Sequence, residues 1–343
     1  MTAANQQQGA QHSLANFGIA ILARGAAKLR GDRLCLVEEG EFGGAAITFA
    51  EFDRLVGSFA ARARECGLTP GERVLVFGAA RIGVIGAVIG ALAAGLEPVI
   101  VPAHADATTL SLLAQSSAAT AIFWPSQYGD EALEPLIFEA AAKAPDIRLV
   151  ASLGPDQCDG AVDFSFISLL LEPGSGVVLA RDAAARIGFL TRPRDLAPQI
   201  VFLSQQRLVE QALDIVAQIR IAPGQPVASL LSPASLAGFI AGPVAALLAG
   251  TPLHMQAPFD SGAMLTMLDK IGPAHLVAPD AILPEIARSG LLESAVLESL
   301  ALARQAAAFA TPFGESKTPI VRLSAGEDGV LHIGQAAPFA RAS

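Results

Sequence analysis

Three cysteines, five histidines and a few charged clusters are the residues of this chain with most chemistry to offer. Cys35, Cys66 and Cys158 are scattered and odd in number, which fits neither a disulfide framework nor a C-x-x-C metal or redox spacing. His12, His104, His254, His275 and His332 follow no H-E-x-x-H or related ligand pattern, so each reads as a surface or satisfied core residue and no metal site is expected. The acidic pairs Glu38-Glu39 and Glu327-Asp328 fall in turn-rich stretches and read as solvated carboxylates, not as a general acid and base. The sequence has no G-x-S-x-G nucleophile elbow. Gly174-Ser175-Gly176 lacks the P-loop lysine and the full G-x-G-x-x-G spacing, so it reads as a turn. The stretch TRPRDLAPQI at 191–200 sets Arg192 and Arg194 in a polar loop, where the pair either holds an anion or is simply solvated. These patterns assign no catalytic residue.

Such groups need a scaffold, and the composition says of what kind. With 343 residues, 52% hydrophobic and 16% charged, the chain has ample apolar material and is too long for one minimal domain, so two packed units are expected. A formal charge of -9 repels the phosphate backbone that a nucleic-acid partner presents, and a single Trp124 and a single Tyr128 supply no stacking platform for single strands. Residues 1–12 read as a floppy tail and not as a signal peptide, because no basic region precedes an apolar run. Together with the cysteine usage this points to the cytoplasm. The run IGVIGAVIGALAAGLEPVIV at 82–101 carries Gly86 and Gly90 at small-x-x-x-small spacing and raises the question of a membrane span. Gly95, Glu97 and Pro98 break it into a helix and a buried strand, the lengths of a soluble βαβ unit.

Strands are predicted at 33–37, 73–77, 98–101, 120–124 and 147–153, with helices over 52–66, from 82 to the break at Gly95, and over 108–117 and 131–143. A looser region at 154–176, rich in glycine and proline, reads as the connection between two lobes. The second lobe alternates strands near 187–190, 226–231, 253–256 and 275–277 with helices near 204–219, 238–249, 261–271 and 281–289, and ends in a strand-like stretch from 320 to 333. Helices alternating with fully apolar strands predict an α/β fold: two lobes of mostly parallel sheets covered on both faces, plus a small strand-rich C-terminal end. The expected division is a tail at 1–12, a first lobe at 13–175 and a second at 176–343.

The order of these elements, and particular residues within them, resembles the large domain of the adenylate-forming superfamily, the acyl-CoA synthetases and other AMP-dependent synthetase/ligases. Thr48, Phe49 and Glu51, then Pro70-Gly71-Glu72-Arg73-Val74, then Ala94-Gly95 are similar to the family's opening, and Leu247-Leu248-Ala249-Gly250, Leu253 and Phe259-Asp260 to a later helix-and-strand segment. The resemblance implies that 191–200 stands where the family has T-S-G-T-T-G-x-P-K-G, a loop whose backbone N–H groups and lysine wrap the phosphates of ATP. Thr191 and Pro198 match it, whereas Pro193, Leu196 and Ile200 replace glycines and Gln199 takes the lysine position. Ser235, three residues before Gly238, falls where the family has a histidine lining the acyl pocket. PFGESKTPI is similar to the family's Y-G-x-[ST]-E segment, with Phe313, Gly314 and Ser316 matching and Lys317 in place of a magnesium-holding glutamate.

The resemblance therefore implies a degenerate nucleotide site made of Thr191, Arg192, Arg194, Gln199, Phe313, Gly314, Ser316 and Lys317, a substrate pocket at Ser235 and Gly238, and no metal. It also implies a truncated pseudoenzyme without the family's small C-terminal catalytic domain. Such a protein binds an acyl, aryl or nucleotide-like ligand, or a partner protein, in the cleft between lobes. The alternatives are an acid-activating ligase subunit that uses ATP and magnesium when a separate small domain completes it, and a structural subunit of an enzyme complex. As partners the reading names a small ligand or a protein, in a homo-oligomer or hetero-complex, and neither nucleic acid nor a membrane.

Overall fold

The structure, a computed structural model, describes residues 17–39, 44–128, 131–154, 158–172, 185–191, 199–256, 258–304, 316–326 and 328–335. Along these the chain forms α1 (Ile19–Arg30), β1 (Leu34–Glu38), β2 (Ala46–Thr48), α2 (Phe49–Glu65), β3 (Arg73–Phe77), α3 (Ile82–Ala94), β4 (Glu97–Val101), α4 (Ala107–Ser117) and β5 (Ala119–Trp124). A small hairpin of β6 (Gln127–Tyr128) and β7 (Glu131–Ala132) leads to α5 (Glu134–Ala142), β8 (Leu149–Ser152), β9 (Val162–Asp163) and α6 (Phe166–Leu171). Then come β10 (Arg186–Thr191), β11 (Gln199–Ser204), α7 (Gln205–Ile219), β12 (Val227–Ser229), α8 (Leu236–Phe239), a π-turn at Ile240–Val244, α9 (Ala245–Ala249) and β13 (Leu253–Met255). The last described elements are α10 (Ser261–Ile271), β14 (Ala274–Pro279), α11 (Leu283–Arg288), β15 (Leu297–Ala303), β16 (Ile320–Ala325) and β17 (Leu331–Gln335).

Two large sheets result, in the orders β11-β10-β4-β3-β5-β8-β9 and β17-β16-β15-β14-β12-β13-β1-β2. Pairing is parallel throughout except for β10 with β11, β16 with β17 and β1 with β2. The expected α/β fold of mostly parallel sheets is what forms. Sheet membership, however, interleaves along the chain. β1 and β2 edge the second sheet by pairing β1 with β13, and β10 with β11 edges the first by pairing β10 with β4.

Period-two alternation explains the layers. On the first sheet Val74, Val76, Ile100 and Phe123 point to one core, while Leu75, Phe77, Val99 and Trp124 point to another that α4 and α5 cover. On the second, Leu253, Met255, Val277, Ala301 and Leu323 join that first core, and Leu276, Ala278, Leu300 and Leu302 pack outward against α10 and α11. The core common to both sheets holds α1, α2, α3, α7 and the α8–α9 segment. The molecule is thus five layers deep, with helices in the middle that see a sheet on either side.

The apolar run at 82–101 belongs to this middle layer. Every residue of α3 is buried, as a helix apolar on all sides must be. Gly86 and Gly90 face α2: a Cβ on Gly86 would lie 2.6 Å from Leu55 Cδ2, and one on Gly90 2.6 Å from Phe59 Cδ1. The small-x-x-x-small spacing is therefore a contact between two core helices. Among the described residues no helix is long and apolar enough to cross a membrane.

Local chemistry sets the element ends. Thr48 and Glu51 form a capping box, the Thr48 hydroxyl accepting from Glu51 N at 3.2 Å and the Glu51 carboxylate accepting from Thr48 N at 2.8 Å. That backbone hydrogen bond, then the one from the Thr48 hydroxyl, holds the Glu51 carboxyl below its usual range. Pro135 at the first turn of α5 marks a start later than the predicted 131, because residues 131–132 pair in the small hairpin. The helix predicted over 238–249 opens into the π-turn at Pro243, which has no N–H to give the i−4 carbonyl. At the amino edge, Arg73, Glu97 and Arg186 are the first residues of β3, β4 and β10. Glu97 takes Arg186 Nε at 2.7 Å and Arg73 Nε at 3.2 Å, and both guanidinium groups stack on the Phe202 ring, 4.8 and 5.0 Å from its centroid. Burial pushes the Glu97 carboxyl up, and the bonds from Arg186 and Arg73 outweigh it, leaving it below the usual range. This clamp docks β10 on β4, where only two residue pairs are in register.

Two outcomes are expected. Gly90→Ala gains about 1 kcal/mol of helix propensity but forces the fully buried Phe59 to move, which costs about 1–3 kcal/mol. A lower urea midpoint is therefore expected, and a higher one would show that α2 and α3 have slack. His275 is buried between Ser299 Oγ (2.8 Å from Nδ1) and Gln225 Oε1 (3.0 Å from Nε2), and burial pushes its pKa down to about 4. Its folded pKa lies below its unfolded value near 6.5, so it costs nothing above that value, and stability falls with pH between about 6.5 and about 4. Relative to His275→Gln, the wild-type chain should lose about 3 kcal/mol across that window. A pH-independent difference in chemical-denaturation stability would refute the assignment.

Candidate functional site

In open α/β sheets the carboxyl ends of the strands, where the connections diverge, are the usual place for a ligand. Here the carboxyl edges of both sheets converge. β3 is followed by Gly78, whose N–H donates to Val101 O at 2.7 Å. β12 ends in the loop 230–235, and the Ser232 hydroxyl of that loop donates to the Gly78 carbonyl oxygen across the junction. A Cβ on Gly78 would stand 2.9 Å from both Ala234 N and Ile100 Cγ2, so only glycine lets the two edges meet this closely.

A second tie lies alongside. Glu38, at the end of β1, accepts from Ile82 N at the start of α3 and takes Arg81 Nη1 at 3.2 Å. Its neighbour Glu39 holds His254 Nδ1 at 2.9 Å and Lys270 Nζ at 3.5 Å. Both glutamate side chains are largely buried, at 13% and 14% exposure. The Glu38-Glu39 pair is thus corrected from a solvated turn to a partnered junction. One carboxylate satisfies an orphan donor at a helix N-terminus, and the other pairs with a buried imidazole. Burial lowers the His254 pKa, with Glu39 opposing and Lys270 adding to the shift, so the ring leans toward neutral, Nδ1 donates to Glu39 and Nε2 is left as an acceptor.

The residues singled out in sequence divide between the two edges. Ser235 and Gly238 lie at the junction. The Ser235 hydroxyl donates to Ser232 O at 3.0 Å and accepts from Gly238 N at 3.0 Å, capping α8, and a Cβ on Gly238 would press on the Ser232 carbonyl and the Ser235 hydroxyl. Thr191 and Gln199 are the last facing pair of the β10–β11 hairpin, with the Thr191 hydroxyl 3.4 Å from Gln199 O. Arg192 and Arg194 lie between them, outside the described residues, as do Phe313 and Gly314. Ser316 and Lys317 sit at the other end of the second sheet, just before β16 begins. The Ser316 hydroxyl donates to Thr318 O at 3.0 Å, the Thr318 hydroxyl donates to Leu292 O at 2.9 Å, and Lys317 Nζ is 3.8 Å from Glu293 Oε2. Lys317 is thus on the amino edge, away from Ser235 and Gly238. The carboxyl end of β16 runs instead into the turn 326–329. That turn packs on β11, where a Cβ on Gly329 would be 2.6 Å from Leu203, while α8 packs on β16 itself. Asp328 of this turn, read in sequence as solvated, accepts from Val330 N at 3.1 Å.

Among the described residues no group of three or more His, Cys, Asp or Glu is arranged to hold a metal ion. Gly78, Ser232 and Ser235 bring backbone and hydroxyl groups together at the junction. Truncating Glu38 to Ala would leave Ile82 N without its acceptor and is expected to cost about 1–3 kcal/mol in denaturant unfolding. Glu38→Gln, which keeps an acceptor oxygen, should recover most of that loss; equal losses would mean the charge, and not the cap, matters.

Comparison with known proteins agrees with this fold. Residues 23–166 match the AMP-binding enzyme family. No curated protein matches the chain by sequence. Among solved structures it is similar to the acetoacetyl-CoA synthetase from Streptomyces lividans (19% identity, TM-score 0.75, 91% of this chain and 52% of that one). It is also similar to MbtA of Mycobacterium smegmatis (20% identity, TM-score 0.75, 95% and 60%). A third likeness is to the inhibitor-bound N-terminal domain of FACL13 from Mycobacterium tuberculosis (14% identity, TM-score 0.70, 92% and 86%). The chain spans about half to three-fifths of the length of the first two. The resemblance to the adenylate-forming superfamily read from the sequence is borne out, and the fold is that of the superfamily's large domain.

Proposed function

Taking the adenylate-forming fold as premise, we propose that this chain is a divergent ligase-like protein that does not form adenylates by itself and binds an acyl or aryl acid at the junction of the two carboxyl edges. The observation that carries the reading is the hairpin and what stands in it. Between the facing residues Thr191 and Gln199 the sequence is RPRDLAP, without a glycine and with two prolines. A triphosphate cradle is built from successive backbone N–H groups turned toward one point. Proline has no N–H, and non-glycine residues resist the positive φ that such a turn uses. Gln199 brings an amide in place of a charge to the hairpin. On the substrate side, the Ser235 hydroxyl is occupied by capping on its donor and one acceptor face, so it has at most one further lone pair for a ligand. The three free cysteines suit a reducing cytoplasm.

One observation favours a second reading, an acid-activating ligase subunit completed by a separate small domain. The N-terminal domain of FACL13 forms a structure with an inhibitor bound, and this chain covers 86% of it.

The test is calorimetric titration with ATP and magnesium beside a thermal-shift screen of acyl and aryl acids and their CoA thioesters. No heat with ATP is expected, together with a rise in Tm of a few degrees for a matching acid at about 100 times its Kd. ATP binding that is lost in the Arg192→Ala, Arg194→Ala double variant would put the ligase-subunit reading first. Silence from both nucleotide and acids would end the ligand reading.

A further inference from the structure

We infer that the ligand of the junction carries a hydroxyl or amino substituent, and that Ser232 and Ser235 read this group as hydrogen-bond acceptors. The inference rests on the reading above, that a small acid binds where the two carboxyl edges meet, and it names which acids.

Between Val227 and Leu247 every residue is buried except Ser232 and Ser235, so these two side chains are the points of that stretch open to a ligand. A serine hydroxyl has one proton to give and two lone pairs to offer. Both protons are already committed: Ser232 donates to Gly78 O across the two edges, and Ser235 donates to Ser232 O at 3.0 Å. One lone pair of each is used as well. Ser232 Oγ accepts from Ala234 N at 3.1 Å, and Ser235 Oγ accepts from Gly238 N at 3.0 Å. What each hydroxyl has left is a single lone pair.

Two neighbouring hydroxyls in the same state accept and do not donate. Turning either one outward to donate gives up a bond already made, and for Ser232 that bond is the tie between the two edges. A carboxylate at neutral pH has lone pairs only, so the acid group of the ligand faces away from the serines. An apolar end set against them would strip water from both oxygens and return nothing. A hydroxyl or an amine supplies the missing proton.

The experiment is calorimetric titration of the full chain with matched acids: benzoate with its hydroxy, amino and methoxy derivatives, and octanoate beside hydroxyoctanoate. A methoxy group keeps the oxygen of the hydroxyl and lacks its proton. The donor-bearing acids should bind about tenfold more tightly than the methoxy or unsubstituted ones. Ser235→Gly removes the hydroxyl with little loss of helix capping and should abolish most of that preference, whereas Ser235→Thr keeps both hydroxyl and cap and should retain it. Binding without preference for a donor would overturn this inference and leave the acid reading standing. A preference that Ser235→Gly leaves untouched would overturn it too, and binding by no acid of the series would end both readings. Should the glycine variant not fold, the hydroxy and methoxy acids on the wild-type chain decide by themselves.

Discussion

The middle layer of helices is the constraint on which this molecule depends. A helix with one apolar stripe can sit on the outside of a sheet, but α3 is apolar on every side and must be enclosed. Enclosure takes a sheet on each side and helices packed along it. The close approach of α2 to α3 over Gly86 and Gly90 is what lets both helices share one layer. Once that layer exists, each sheet has an inner face turned to it, and each must cover its remaining face with helices of its own. The five layers follow from one helix that cannot touch water.

The same constraint brings the two carboxyl edges together. With both sheets packed on shared helices, the ends of β3 and β12 come within reach, and the contact is made by groups small enough to allow it: Gly78, Ala234 and the Ser232 hydroxyl. Glu38 adds a tie from the edge of one sheet to the first turn of α3, and Gln205 another. Its amide oxygen accepts from Ile19 N at 2.9 Å and its amide nitrogen donates to Ala185 O at 3.0 Å, so the entry of α1 is joined to the entry of β10. These are buried polar groups with their partners supplied, which stabilise one arrangement of the sheets over others. A ligand bound at the junction would meet a surface already held in place.

Some readings from residue patterns carried through, and their failures have definite causes. The helix over 261–271 and the strand over 73–77 appear with those bounds, because an Asp260 cap and a dense apolar run mark them locally. β15 was not foreseen. LESLALA is rich in leucine and alanine, residues that favour helix, and only burial on both faces between β14 and β16 makes it a strand. β11 was not foreseen either, and only its first two residues fell in the stretch at 191–200 read as a loop, since its partner β10 supplies the ladder that its short sequence does not announce. Glu38 and Glu39 were placed among solvated turns because nothing in the sequence says that α3 and His254 lie beside them.

By itself the sequence determined the fold class, the superfamily resemblance, most helices and strands, and the absence of a glycine loop at 191–200, since period-two and period-3.6 patterns, caps and turn residues act over a few positions. Only the tertiary structure decided which sheet each strand joins and which chemistry-bearing residues meet. It took β1 and β2 to the second sheet and set Ser235 and Gly238 on the carboxyl edge with Lys317 on the amino edge. Those outcomes rest on contacts between residues far apart in the chain, such as Glu38 with Ile82 and Ser232 with Gly78. Such contacts depend on how whole layers pack, and no local pattern of residues encodes them.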